Sequence, residues 1–367
     1  MPWTAFDTAA MQRALELARR GEGHVEPNPL VGAVVSRGGT IIGEGWHARF
    51  GGPHAEIAAL SATPADAARC ATLFVTLEPC CHHGKTPPCT DAIIAAGISR
   101  VVIATIDPFA AVNGGGIAAL RGAGIAVEMG LCEQEALRLI APFRKLVTKR
   151  KPWVIAKWAM SLDGRMAAPA GTERWLSSAE SRAIAHDLRA RVDAIVIGIG
   201  TAEADDPLLT ARPAEASGLP TRPLLRIVLD SAARLPLTSR LVQTAREQPL
   251  LVAVGPDAPA DRLRDLETAG CEVWVGQARD SGKRLAELLG ELGRRQLTNV
   301  LVEGGAQVLN SFFAHSEVDE VWAFIAPRII GGKEPAAPLA DLAAAAAIEI
   351  EHVSHPGGDF FIRGLTK

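Results

Sequence analysis

The sequence predicts two consecutive α/β domains, and three observations lead there. At 367 residues the chain is longer than a single hydrophobic core usually grows. Short apolar runs alternate with helical periodicity along its length, the pattern of sheets covered by helices. The alternation stops at a basic segment, Arg144, Lys145, Lys149, Arg150 and Lys151, just before Pro152, and then restarts. That segment reads as a solvated helix end leading into a linker, which puts the domains at residues 1–148 and 149–367.

In the first domain, residues 7–20 place Ala10, Met11, Ala14, Leu15, Leu17 and Ala18 on one helical stripe, with Gly21 as a stop. Val31–Val35 and Thr40–Gly43 flank Arg37-Gly38-Gly39, a strand pair around a glycine turn. A short helix begins near His54. Leu73–Leu77 reads as a buried strand, and Asp91–Ala96 as a helix capped by Thr90 and ended by Gly97. Val101–Thr105, Ile117–Arg121 and Ile125–Glu128 read as strand, helix and strand. In the second domain Val154–Ala156 is a strand, and Ser177-x-x-Glu180 is a capping box that opens a helix to about Arg189. Ala194–Ile199, Leu225–Leu229, Leu250–Val254 and Val273–Val275 read as strands, with Asp205-Asp206-Pro207 in a loop. Arg284–Leu292 is helical, Val300–Glu303 a strand, Ala306–Ala314 a helix and Val321–Ala326 a strand.

Composition narrows the function classes. The chain is 48% hydrophobic and 22% charged, as soluble globular proteins are. No apolar stretch reaches the roughly 18 residues that span a bilayer, and residues 1–7 lack the features of a signal peptide, so a cytoplasmic protein without a membrane partner is expected. Residues 1–150 carry 14 Lys+Arg against 13 Asp+Glu and the remainder 24 against 28, which argues against a long nucleic-acid partner. Of six cysteines, Cys80, Cys81 and Cys89 cluster, and clustered cysteines in a reducing compartment point to metal or catalysis. Cys70, Cys132 and Cys271 read as small core residues.

The strongest chemical signal is His54-Ala55-Glu56 followed by Pro79-Cys80 and Cys89. One imidazole and two thiolates leave a zinc ion one open position, as catalytic sites do. Glu56, two residues beyond the histidine, can shuttle a proton at that position without ligating. The order is that of zinc deaminases, H-x-E then P-C-x-x-C, with six more residues between the cysteines. Cys81 and His83 are weaker ligand candidates. In the second half, Val302-Glu303-Gly304-Gly305 leading into a helix can present backbone N–H groups to a phosphate, although such turns also serve tight packing. Gly198-Ile199-Gly200 lacks the third glycine of a dinucleotide fingerprint.

The insert Cys80-Cys81-His82-His83-Gly84-Lys85-Thr86-Pro87-Pro88-Cys89 resembles the zinc loop of the riboflavin-biosynthesis pyrimidine deaminases. Pro27-Asn28-Pro29-Leu30-Val31-Gly32, Gly45-Trp46-His47 and Asp107-Pro108 resemble the same family. Downstream, Ala159-Met160-Ser161-Leu162-Asp163-Gly164-Arg165, Trp175-Leu176-Ser177-Ser178, Gly198-x-Gly200-Thr201-x3-Asp205-Asp206-Pro207-x-Leu209-Thr210 and Pro327-x-Ile329-Ile330-Gly331-Gly332 resemble its reductase half.

The resemblance implies a cytidine-deaminase-like three-layer domain, then a dihydrofolate-reductase-like α/β domain. It implies zinc on His54, Cys80 and Cys89 with Glu56 catalytic, and NADPH as second cofactor. Asn28, His47, His82, Lys85 and Asp107 would hold a phosphorylated pyrimidine in the first domain. In the second, Ala159, Trp175, Thr201, Asp205, Ser231 and Gly305, Ala306, Gln307, Val308, Leu309, Asn310 and Ser311 would contact NADPH, and Arg189, Leu209, Arg212 and Glu303 the substrate. A homo-oligomer is the expected assembly. Two departures stand out: Phe109 replaces an Asn that normally grips the ribose phosphate, and Glu173 replaces a Ser. The competing reading is a nucleic-acid deaminase with an inactive appended binding domain, opposed by the balanced charge and the Lys85 loop.

Overall fold

The alternating elements form two separate sheets in two units, Met1–Arg150 and Lys151–Lys367. The computed structural model describes residues 3–64, 66–82, 87–166, 176–214, 218–219, 223–331, 337–339 and 346–367.

In the first unit, α1 (Ala5–Arg19) starts two residues before the periodicity suggests, because Thr4 and Asp7 cap it reciprocally. β1 (Gly32–Arg37) and β2 (Thr40–Trp46) turn at Gly38-Gly39. There follow α2 (Ala55–Ser61), β3 (Thr72–Leu77), α3 (Cys89–Ala95), β4 (Arg100–Thr105), α4 (Gly115–Gly122), β5 (Ala126–Met129), α5 (Glu133–Leu139) and α6 (Ala141–Lys149). The cap of α3 is Pro88; Thr90 lies inside the helix and is buried, so the observed cap is two residues before the expected one. The strand order is β2-β1-β3-β4-β5, with β1 antiparallel to both neighbours and the rest parallel. Helices α2, α3 and α4 bury Ala59, Ile93 and Leu120 on one face, and α1 buries Met11 and Leu15 on the other. This is the three-layer deaminase-like arrangement. Helix α5 was not anticipated, since only Ala136 on it is buried and one residue makes no periodic signal.

The second unit runs β6 (Trp153–Ser161), α7 (Ala179–Arg191), β7 (Ala194–Gly198), α8 (Ile199–Asp205), β8 (Leu225–Leu229), α9 (Arg240–Gln243), β9 (Leu250–Val254), α10 (Ala260–Ala269) and β10 (Glu272–Val275). It continues with α11 (Ser281–Arg294), β11 (Asn299–Glu303), α12 (Ala306–Ala314), β12 (Glu320–Ala326), β13 (Ile348–Ser354) and β14 (Phe360–Thr366). The order β10-β9-β8-β7-β11-β6-β12 is parallel throughout, and β14 and β13 add antiparallel edges. Leu188, Leu241 and Leu266 cover one face, and Leu285, Leu289, Leu309 and Phe312 the other. Three expectations change. The cap of α7 is Ser178, whose side chain accepts the Ser181 N–H, rather than Ser177. Asp205 ends helix α8 instead of lying in a loop. Cys70 is exposed and Cys132 half-buried; only Cys271 of that trio is buried.

Candidate active sites

His54 is the N-cap of α2, Cys89 the first residue of α3, and Cys80 lies in the loop leaving β3. Glycine decides how close α2 comes to the sheet, since a Cβ at Gly45 of β2 would fall on the Ala59 nitrogen. The His54 Nδ1 lies 3.5 Å from the Cys80 Sγ and 3.3 Å from the Cys89 Sγ. All three ligand atoms are within 4.8 Å of one another. A tetrahedral zinc with bonds of about 2.0–2.3 Å needs ligand separations of roughly 3.5–3.8 Å, so the donor set fits the ion. Among the described residues no fourth ligand joins the group, which leaves one vertex for a water; His83 lies outside the described residues.

The electrostatics also ask for a cation. Hydrogen bonds from Cys89 and His54 push the Cys80 thiol down to about 4, and the Cys89 backbone N–H donates to its Sγ at 3.3 Å. That N–H is one of the free amides of a first helical turn. Cys89 is driven the opposite way by its hydrogen bond to Cys80 and by burial. Two adjacent sulphurs share one proton; a divalent ion lets both ionise. Glu56 is buried, and burial raises its carboxyl to about 7.

Around this centre the Nδ1–H of buried His47 donates to the Pro53 carbonyl at 2.9 Å, and its Nε2 accepts from the Asn28 amide at 3.0 Å. That pairing requires a neutral ring, and burial lowers its pKa accordingly. The His47 and His54 rings meet edge-on, 5.5 Å apart, so Asn28 and His47 stand beside the candidate metal group. Asp107 is buried, which raises its carboxyl to about 6. Its Oδ1 accepts the Phe109 N–H at 2.8 Å. The Phe109 ring stands 6.2 Å from that of exposed His82, and Asn113 is exposed. Lys85 lies outside the described residues.

In the second unit, Glu303 ends β11 opposite Lys157 of β6 in register. Its carboxylate accepts from the Arg189 Nε at 2.8 Å and Nη2 at 2.6 Å, with the Lys157 Nζ at 3.8 Å. Despite burial, Arg189 and Lys157 hold the Glu303 pKa down to about 2. His186 joins through the Arg212 Nη2, 3.3 Å from its Nε2, and its buried Nδ1 has no partner among the described residues. Arg189, Arg212 and Glu303 are thus brought together. The Leu209 side chain is instead buried in the core, with its backbone in the left-handed region (φ 54°).

For a nicotinamide cofactor the fit rests on the start of α12. Gly304 and Gly305 have φ of 97° and 71°, which side chains rarely adopt, and a Cβ on Gly305 would lie 3.0 Å from the Thr201 Oγ1. Backbone can therefore approach a phosphate there. Asn310 of α12 is buried, and among the described residues neither of its amide atoms has a partner. Ala159 is half-buried on β6, and Asp205 and Ser231 are exposed; Trp175 and Glu173 lie outside the described residues.

Comparison with known proteins decides the family. Residues 4–105 match the cytidine and deoxycytidylate deaminase zinc-binding region, and residues 152–361 match the RibD C-terminal domain. The riboflavin biosynthesis protein RibD of Aquifex aeolicus is 40% identical over 326 residues, covering 89% of this chain and 88% of that protein. The chain belongs to the RibD family. RibD of Escherichia coli K12 is 37% identical over 96% of this chain and 97% of its own length. Among solved structures, RibD of Acinetobacter baumannii superposes with a TM-score of 0.84 at 33% identity, covering 99% of both chains. A Thermotoga maritima structure, named as a diaminohydroxyphosphoribosylaminopyrimidine deaminase and 5-amino-6-(5-phosphoribosylamino)uracil reductase, superposes at 0.83 with 34% identity and the same coverage.

Three residues of this RibD-family chain escaped the sequence reading. Glu78, two residues before Cys80, is buried and accepts the N–H groups of Asp107 (3.3 Å), Gly114 (2.9 Å) and Ile117 (3.1 Å), tying the zinc loop to the start of α4. A charged residue ending an apolar strand was the available signal. Lys157 offered a similar one, a cation inside Val154–Trp158. His186, on a helix, offered none.

Proposed function

We propose that this chain is a bifunctional enzyme of riboflavin biosynthesis. The first unit hydrolyses an amine from 2,5-diamino-6-(5-phosphoribosylamino)pyrimidin-4-one, and the second reduces the ribosyl chain of the product to ribityl with NADPH. The observation that carries the reading is the convergence of His54, Cys80 and Cys89 with one vertex open beside buried Glu56. Zinc held there would supply a Lewis acid that lowers the pKa of a water. Glu56 takes the proton of the attacking water and returns it to the leaving amine, a role its buried position beside the open vertex allows. Asn28, His47 and Asp107 orient the ring, while His82 and Lys85 take the ribose phosphate, Lys85 by family resemblance.

In the second unit, NADPH, when bound, would supply a hydride. Gly305 to Ser311, with Ala159, Trp175, Thr201, Asp205 and Ser231, would hold it. Lys157 and Arg189 concentrate positive charge beside Glu303, where negative charge on the oxygen of the reacting carbon can be stabilised. Arg212 and the Leu209 backbone complete the substrate contacts. Among the described residues no helix is long and apolar enough to cross a membrane, and the reading includes a cytoplasmic homo-oligomer. Incubation with the diaminopyrimidinone phosphate, with and without NADPH, tests it. Ammonia should appear without NADPH, and NADPH should be consumed only after deamination. No ammonia from zinc-loaded protein would refute the reading.

A further inference from the structure

We infer that Glu78 is a positioning residue for the deamination: through one carboxylate oxygen it closes the loop 107–114, and so sets where Asp107 meets the pyrimidine. The inference rests on the deaminase reading and deepens it, since neither the sequence motifs nor the family resemblance gives Glu78 a role.

The sheet anchors Glu78. Its N–H donates to the Thr105 carbonyl at 3.0 Å, just beyond the Leu77–Thr105 pair that ends the parallel β3–β4 ladder. From there the buried side chain reaches the segment that follows β4. The Oε2 accepts the Asp107 N–H at 3.3 Å and the Gly114 N–H at 2.9 Å, and the Oε1 accepts the Ile117 N–H at 3.1 Å. The first two amides are the two ends of one loop, and they share one oxygen, whose lone pairs they use up. Within the loop the Phe109 carbonyl accepts from the Val112 N–H at 2.9 Å and the Asn113 N–H at 3.2 Å. The middle of the loop therefore folds on itself, and its ends depend on Glu78. Helix α4 comes this close because its start is Gly114-Gly115-Gly116. A Cβ on Gly116 would fall on the Pro79 carbonyl oxygen, and one on Gly115 would lie 2.8 Å from the Cys81 Sγ.

The hydrogen bonds separate this role from metal binding. All three go to residues 107–117. Cys80 has ties of its own: its Sγ accepts the Cys89 N–H at 3.3 Å, and its carbonyl accepts the Thr90 N–H at 3.3 Å. Loss of the Glu78 carboxylate thus frees the loop and leaves the ligand group in place. What moves is Asp107, whose N–H is one of the two loop ends and whose Oδ1 accepts the Phe109 N–H at 2.8 Å. A carboxylate orients a ring only at hydrogen-bond range, so a displacement of about 1 Å weakens the grip on the substrate.

Steady-state deamination by the full-length, zinc-loaded protein tests this, with zinc content and amide hydrogen exchange measured on the same variants. Glu78→Ala removes the acceptor, and Glu78→Met removes it while keeping most of the volume. Both should raise the Michaelis constant for the diaminopyrimidinone phosphate at least about tenfold, about 1.4 kcal/mol, and change the turnover number less than about threefold. Both should keep about one zinc per chain. Glu78→Gln retains an oxygen for the two loop ends and should bring the Michaelis constant back to within about threefold of wild type. Amides of 107–114 should exchange at least about tenfold faster in the Ala and Met variants, and those of Cys89–Ala95 at the wild-type rate. A Michaelis constant within about twofold of wild type in folded Glu78→Met would overturn the inference and leave the deaminase reading standing. Zinc loss in proportion to the loss of activity would assign the carboxylate to the zinc loop and overturn it too, as would failure of both variants to fold. If zinc-loaded wild-type protein releases no ammonia, the deaminase reading fails and this inference with it.

Discussion

Cys80 and Cys89 of the first unit are 9 residues apart and His54 is 35 residues from Cys89, whereas Arg189 and Glu303 of the second unit meet across 114. Each of the three candidate zinc ligands sits at or next to a helix start, or in a loop tied to one, so local conformation does much of the aiming and the approach of α2 to the sheet at Gly45 the rest. The cation cluster needs β6 and β11 side by side in the register that sets Lys157 opposite Glu303. A slip of one residue would turn either side chain to the other face of the sheet. Sites assembled over short stretches of chain tolerate stability loss elsewhere; sites assembled by register are as stable as the sheet that sets it.

The sharpest separation of the two should come from Glu56→Gln. Deamination should fall by two orders of magnitude or more, since proton transfer is removed and coordination is kept. About one zinc per chain should remain by elemental analysis, and reduction of pre-deaminated substrate should continue. Loss of both activities in folded protein would mean that the sites are not independent.

Next in size is Glu303→Gln. It leaves Lys157 and Arg189 buried without their anion, which costs about 3 kcal/mol and should abolish reduction. Adding Arg189→Met should recover part of the melting temperature and none of the activity. No comparable change is expected in zinc content, and a shift there would contradict the separation.

Gly305→Ala should cost about 1–2 kcal/mol by urea unfolding, because φ of 71° strains any side chain. Any loss of NADPH affinity in that variant will therefore be accompanied by instability. A fully stable variant would show that the turn relaxes without the glycine.

The smallest effect concerns pH. Burial, then Arg189 and Arg212, push His186 down to about 4. Between about pH 6.5 and 4 the folded chain therefore binds fewer protons than the unfolded one, and stability present above pH 6.5 is lost as the pH falls toward 4. With the ring only partly buried, about 1 kcal/mol is expected. His186→Gln should flatten the profile, measured as melting temperature against pH; an unchanged slope would remove His186 from the cluster.

By itself the sequence determined what depends on neighbours within a few residues. The strands Leu225–Leu229 and Leu250–Val254 and the helix Ala306–Ala314 lie where apolar runs and a glycine pair put them. The grouping of His54, Cys80 and Cys89 was legible because metal-ligand residue types and helix starts leave their marks on nearby residues. Tertiary structure decided the rest. It moved the caps of α3 and α7 by one or two residues, because several adjacent residues can cap and packing selects among them. It buried Leu209 in the core, and it made the antiparallel edge β13 and β14, whose exposed Ile350 and Val353 blur the alternation a strand would show. It also recruited Glu78, Lys157 and His186. A lone charged residue in an apolar stretch says that something must compensate it, but the partner stands on another strand or loop, and only the folded chain brings the two together.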